Sequence, residues 1–123
     1  IMHFKKPTNS EISAPLFKEL NRFKIGVVIP CFNEEKNVLT VINTLPDYVD
    51  FAVVVDDLST DKTVEIVKKA AVKNKKIRIL QMQENQGVGG AIAAGYVWCL
   101  ENGVDAAVVM AGDGQMDPGD LHD

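Results

Sequence analysis

Four short stretches of the chain carry residue types that could do chemistry. They read Pro30-Cys31-Phe32-Asn33-Glu34-Glu35, Asp56-Asp57-Leu58-Ser59-Thr60-Asp61, Glu84-Asn85-Gln86-Gly87-Val88-Gly89-Gly90 and Gly112-Asp113-Gly114-Gln115-Met116-Asp117-Pro118. Three of the four are acidic. Carboxylates gathered in one place repel one another unless a cation neutralises them. Oxygen donors without His or Cys suit Mg²⁺ or Mn²⁺. A divalent ion held this way can bridge a diphosphate and steady it as a leaving group. Asp113 is the first candidate ligand, because it follows an apolar run inside a turn flanked by glycines. The same position suits an aspartate that only shapes the turn.

Asp56 and Asp57 follow the run Val53-Val54-Val55. A carboxylate there could accept a hydrogen bond from a base N–H or a ribose hydroxyl, or it could cap the next helix. The pair can divide the two jobs. Asn85 and the glycines Gly87, Gly89 and Gly90 open a helix and resemble a phosphate loop, since glycine lets a phosphate approach a positive helix end. They complete neither the dinucleotide fingerprint nor the Walker motif, and tight packing explains them equally well. Phe32 lies in a loop, where it could stack on a base. Tyr96 and Trp98 fall inside a helical pattern and read as core or flank.

The elements that must position these stretches alternate. Residues 25–29 form a short β-branched run ended by Pro30, the pattern of a buried strand. Residues 34–45 put Val38, Val41, Ile42 and Leu45 on one helical face, and Pro46 stops them. Residues 51–55, 77–82 and 106–110 repeat the strand pattern. Residues 61–72 form a helix, with Ser59 or Thr60 as cap and Asp61 near its positive end. Residues 88–100 form another, with Gly103 as its stop. Ahead of the first strand, Ser13-Ala14-Pro15 offers an N-cap, and Leu16, Leu20 and Phe23 follow at helical spacing. The organisation expected is an N-terminal extension with a short helix over residues 1–24 and one α/β unit over residues 25–123. The β-α-β-α-β-α-β order requires a parallel, Rossmann-like sheet with helices on both faces. In such sheets ligands bind beyond the carboxyl ends of the strands. All four chemical stretches fall there.

Composition bounds the function. The 123 residues suffice for one domain, and 46% apolar with 24% charged residues is ordinary for a chain that buries a core. A net charge of −4 argues against a general nucleic-acid binder. The lysines over residues 68–76 read as a solvated helix face. The two cysteines and two histidines have no zinc spacing, and reduced thiols in a cytoplasmic setting are the default. No apolar run approaches the roughly 20 residues that span a bilayer, and no signal peptide is visible. Both ends read as cut points, so the parent protein could still sit at the cytoplasmic face of a membrane.

The four stretches, in this order and at this spacing, resemble family 2 glycosyltransferases, closest in flavour to the dolichol-phosphate mannosyltransferase-like branch. The resemblance covers residues 24–123. It implies a GT-A fold, a nucleotide-diphosphate-sugar donor, Mg²⁺ or Mn²⁺, and transfer with inversion to a lipid phosphate or saccharide, with a role in cell-envelope polysaccharide. By position, Pro30, Phe32 and Glu34 would line the base and ribose. Val55 and Asp57 would contact the nucleoside. Asp113 and Gln115 would hold the metal and diphosphate. Two positions depart from the family pattern. The first of two aspartates expected at the metal site is Ala111, so the metal grip rests on Asp113 with Gln115 or Asp117. Leu58 stands where Gly or Asn is common. The acceptor site and general base are expected beyond Asp123, which makes this chain the N-terminal, donor-binding half.

Two other classes fit less well. A receiver-type phosphoacceptor domain needs its acid pair after the first strand, and here the pair follows the second. A non-catalytic nucleotide-binding fragment would leave apolar surface uncovered, which favours self-association.

Overall fold

The computed structural model describes residues 22–112. Its elements alternate as expected: β1 (Ile25–Cys31), α1 (Val38–Asn43), β2 (Phe51–Asp56), α2 (Thr63–Lys73), β3 (Ile77–Gln81), α3 (Gly87–Glu101) and β4 (Ala106–Val109). The helix expected from Ser13 lies outside the described residues, apart from its last residues; Phe23 sits in irregular backbone before β1.

The strands are parallel and lie in the order β3-β2-β1-β4. β2 and β3 lie to one side of β1 and β4 to the other. That reversal opens a crevice at the carboxyl ends of β1 and β4, the usual ligand position in open α/β sheets. A receiver-type sheet would seat β3 beside β1. The observed order excludes that alternative.

Side chains alternate through the sheet with the strand period of two. Val27, Ile29, Ala52 and Val54 face α1 and α2, where they meet Val38, Val41, Ile42 and Val67. Val28, Val53 and Val55 face α3 and meet Ala91 and Cys99. Helices on both faces explain why the strands read as apolar runs rather than alternating ones. β1 is buried at all seven positions. Helix α3 lies close on β1: a Cβ on Gly95 would collide with the side chain of Val28. Gly103, at φ +71°, ends α3 as expected.

Two boundaries differ from the sequence reading. Pro30 lies within the central strand instead of ending it, paired with Val55 of β2. Residues Val28 and Pro30 turn their ladder groups toward β4, since Met110 N–H donates to Val28 O at 2.9 Å and Gly112 N–H to Pro30 O at 3.3 Å. β4 ends at Val109, so the N–H that Pro30 lacks would lie past the end of the regular ladder with β4. Helix α1 begins at Val38 rather than Glu34. The main-chain N–H groups of Asn33, Glu34 and Glu35 go instead to side chains of the β2–α2 loop and of Thr63 at the start of α2.

Candidate functional site

The carboxyl edge of the sheet is built by a clasp between two loops. Asn33 adopts φ 53°, in the left-handed region that Asn tolerates better than most residues. Its Oδ1 accepts the N–H groups of Thr60 at 2.8 Å and Asp61 at 3.3 Å. In return Ser59 Oγ accepts Asn33 N–H at 2.9 Å, and Thr63 Oγ1 accepts Glu34 N–H at 2.8 Å. Asp61 accepts Glu35 N–H at 3.1 Å through Oδ2 and Thr63 N–H at 2.9 Å through Oδ1. Burial pushes the Asp61 carboxyl up, but the hydrogen bonds from the Thr63 hydroxyl, Thr63 N–H and Glu35 N–H outweigh it and hold the group below its ordinary range.

Asp61, rather than Ser59 or Thr60, therefore closes the first turn of α2. Ser59 is engaged elsewhere: its N–H and hydroxyl both donate to Asp56, which is 2% exposed and closes its own turn. Asp57 reaches further. Its Oδ1 accepts Gln86 N–H and its Oδ2 accepts Gly87 N–H, both at 2.9 Å. Asn85 Nδ2 donates to Asp57 O at 3.2 Å. A carboxylate thus sits on the positive end of α3, where the helix dipole favours it. Gly87 is needed there for its φ of +75°. Two of the first amides of α3 already hold an anion of the chain itself. The Gly87 amide of the expected phosphate loop is one of them. Gly89 has open space where a Cβ would stand.

Between β1, the start of α3 and the end of β4 lies a cleft of about 310 Å³. Its wall includes Pro30, Phe32, Glu34, Asp57, Val88 and Gly112. Phe32 is about half exposed. Gly112 fits because a Cβ would press on Cys31 Sγ and Pro30 O. The structure thus brings Pro30, Phe32, Glu34 and Asp57 together. It places Val55, fully buried against α3, behind the cleft rather than in its wall, so its side chain has no access to a ligand. Asp56, Asn85 and Gly87 likewise serve the scaffold around Asp57. Trp98 packs edge-to-face on Phe51 at 5.4 Å, away from any stacking role. The metal candidates Asp113 and Gln115 lie outside the described residues. Among the described residues no three His, Cys, Asp or Glu side chains form a metal-binding group.

Sequence reasoning missed the clasp roles of Asn33, Ser59 and Thr63, and the cleft residue Ala91; Ala111, named at the metal site, lines the cleft as well. Asn33 carried a signal, as a turn-forming residue directly after a strand.

Comparison with known proteins places this geometry. The family model described as Glycosyl transferase family 2 matches residues 26–123. The UDP-N-acetylglucosamine–dolichyl-phosphate N-acetylglucosaminyltransferase of Methanococcus voltae is 34% identical over 110 residues, covering 79% of this chain and 44% of that protein. An uncharacterized protein of Methanocaldococcus jannaschii is 36% identical over 121 residues, covering 98% of this chain and 46% of that protein. The chain therefore spans less than half the length of these relatives. The crystal structure of residues 1–349 of Staphylococcus aureus TarS in complex with UDP superposes with a TM-score of 0.61 at 27% identity, over 74% of this chain and 28% of that one.

Proposed function

The chain belongs to glycosyl transferase family 2, and we propose that it forms the donor side of an enzyme that moves a sugar, with inversion, from a nucleotide-diphosphate sugar to a lipid phosphate or a saccharide. The cleft carries this reading. It lies at the topological switch point between β1 and β4, and it joins an exposed aromatic ring, a buried carboxylate and a close-packed glycine turn. Phe32 stacks on the base. Asp57 accepts from the base or ribose with the lone pairs its two amide bonds leave over. Pro30 and Glu34 close the wall. Val55, Asp56, Asn85 and Gly87 fix Asp57 in place.

Asp113 and Gln115 follow Gly112 directly and carry oxygen donors that suit Mg²⁺ or Mn²⁺. An ion bound there would neutralise the diphosphate and ease its departure. Ala111 lines the cleft where a second carboxylate would stand, so this chain offers the metal fewer charges than the family pattern. The acceptor fits the names of relatives such as the M. voltae enzyme, which act on a lipid phosphate. With such an acceptor the whole protein would work at a membrane surface, in our reading the cytoplasmic face. Among the described residues no helix is long and apolar enough to cross one.

Titration calorimetry with UDP and GDP, each with Mn²⁺ and with EDTA, tests the proposal. Binding of one diphosphate in Mn²⁺ and its loss in EDTA are expected. Equal binding in EDTA removes the metal from the site. No binding of either diphosphate removes the donor role.

A further inference from the structure

The chain carries a net charge of −4, yet residues 62–76 hold six lysines and a single acid, Glu65. Most of them belong to α2, which packs on the same side of the sheet as α1. Thr63 and Val67 point into the core, so Glu65, Lys68, Lys69, Val72 and Lys73 are left exposed on the outer side. Lys62, Lys69 and Lys73 are spaced i, i+7, i+11, which at 3.6 residues per turn sets them along one line. That line borders α1. Between the two helices runs a groove of about 250 Å³, lined by Leu39, Ile66, Lys69, Ala70 and Lys73.

Read from sequence alone, these lysines form a solvated helix face. The structure adds two features. The one acid, Glu65, lies 3.6 Å from Lys69 Nζ, one turn away, so it offsets a single cation and leaves the face basic. Apolar side chains also stand among the cations: Val72 is 75% exposed and Leu39, on the α1 bank of the groove, is 46% exposed. Lysines interleaved with exposed apolar side chains match an anionic bilayer surface. The ammonium groups meet the headgroup charge and the apolar groups enter the interface.

We infer that the outer face of α2, with Leu39 of α1, docks the chain on an anionic lipid bilayer. The inference rests on the reading of a lipid-phosphate acceptor, for which it supplies the surface that meets the membrane. The face is tied to the donor cleft. Glu34, in the cleft wall, gives its N–H to Thr63 Oγ1 at 2.8 Å, and Glu35 Oε2 accepts Lys62 N–H at 3.2 Å. A bilayer against α2 therefore lies at a fixed position relative to the cleft. It also leaves the cleft open, because Val88 and Ala91 of the cleft wall belong to α3, on the opposite face of the sheet. Nucleic acid fits this face less well. Phosphate contacts make no use of exposed Val72 and Leu39, and a net charge of −4 repels a long polyanion.

Co-sedimentation of the full chain with lipid vesicles, without nucleotide, tests the inference. Binding to an equal mixture of phosphatidylcholine and phosphatidylglycerol is expected, with binding to phosphatidylcholine alone weaker by about tenfold or more. Raising the salt from about 0.1 to about 1 M shortens the screening length from about 10 to about 3 Å and should release the chain. A lysine at an anionic surface is worth about a fivefold change in partitioning. Lys69→Gln combined with Lys73→Gln should therefore weaken binding by about tenfold or more. Val72→Ser, which leaves the charge unchanged, should weaken it by about threefold or more. Lys24→Gln, which removes a charge ahead of β1 and off this face, should leave binding as it is. All four positions are exposed, and melting curves that match the wild type establish that the variants fold. Equal binding to neutral and anionic vesicles, or binding to neither, overturns the inference. So does unchanged binding by the Lys69/Lys73 variant or by Val72→Ser. Binding to single-stranded RNA with none to vesicles would give the face to nucleic acid and overturns it too. The donor role is read separately by the calorimetry with UDP and GDP: donor binding without vesicle binding sinks only the docking surface, and vesicle binding without donor binding sinks only the donor role.

Discussion

The Asp57 carboxylate accepts two main-chain N–H groups from the start of α3, and the same side chain forms part of the cleft wall. Removing it should act on both. Loss of a helix cap typically costs about 0.5–2 kcal/mol of stability. Loss of a hydrogen bond to a charged acceptor costs about 1.5–3 kcal/mol, which is roughly a ten- to 150-fold fall in affinity. Asp57→Ala is therefore expected to lower the melting temperature modestly and to weaken nucleoside diphosphate binding by more than tenfold. Thermal melts and calorimetry on the same sample separate the two effects. A variant that melts early but binds with unchanged affinity would leave Asp57 as a cap alone. The sequence offered both jobs for the Asp56-Asp57 pair, and it placed the cap on the next helix. It could not show that the helix capped is α3, whose first residue lies 30 positions away. Side-chain partners at such separations depend on the strand order, which local spacing does not encode. The exposed ring of Phe32 was legible, because an aromatic residue in a strand-end loop has no core to enter.

The strands and helices were legible at the level of type and order, since short β-branched apolar runs and a helical stripe of period 3.6 leave different marks. Their ends were less so. Pro30 reads as a strand end, yet β1 runs on through it, past the last pair with β4 at Val28. Residues 34–37 read as helix, yet the N–H groups of Glu34 and Glu35 are taken by Thr63 and Asp61, and Asn37 N–H closes a tight turn on Glu34 O. Both differences come from a neighbouring element overriding local preference. Helix α3 gives a direct test of packing against propensity. Gly89 and Gly95 both lie in it. A Cβ at Gly89 meets nothing, whereas one at Gly95 runs into Val28, which is fully buried. Alanine in place of helical glycine gains about 0.5–1 kcal/mol in backbone terms. Overpacking a core typically costs about 1–3 kcal/mol. Gly89→Ala should therefore stabilise the chain by up to about 1 kcal/mol. Gly95→Ala should destabilise it by about 1–2 kcal/mol, because the collision outweighs the gain. Chemical denaturation of the two variants checks the opposite signs. Equal stabilisation by both would mean that α3 can move off β1 freely.

At the scale of the whole molecule, the described carboxylates at the cleft edge are largely committed to the scaffold. Asp56 holds Ser59, Asp57 holds the start of α3, Asp61 holds Glu35 and Thr63, and Glu35 accepts Lys62 N–H at 3.2 Å. Glu34 alone among them lines the cleft without accepting a main-chain bond from the clasp, and its Oε2 accepts only Asn37 Nδ2, at 3.3 Å. Inverting transfer needs a base within hydrogen-bond reach of the attacking hydroxyl, and that hydroxyl approaches the anomeric carbon from the side opposite the departing diphosphate. It also needs the acceptor held in line, since orientation supplies much of the rate. A carboxylate in the wall proposed to hold the nucleotide stands on the wrong side for that task. The chain also spans less than half the length of its relatives. We therefore predict that the 123-residue chain binds donor but transfers no sugar. Nucleotide release from several UDP- and GDP-sugars, measured with and without lipid-phosphate and saccharide acceptors, checks it. Release at the same slow rate with and without acceptor is the expected outcome. Release that rises with acceptor would place a working base inside this chain, with Glu34 the first residue to replace by Gln. If Glu34→Gln then abolished turnover while binding survived, the donor wall would hold the catalytic group as well.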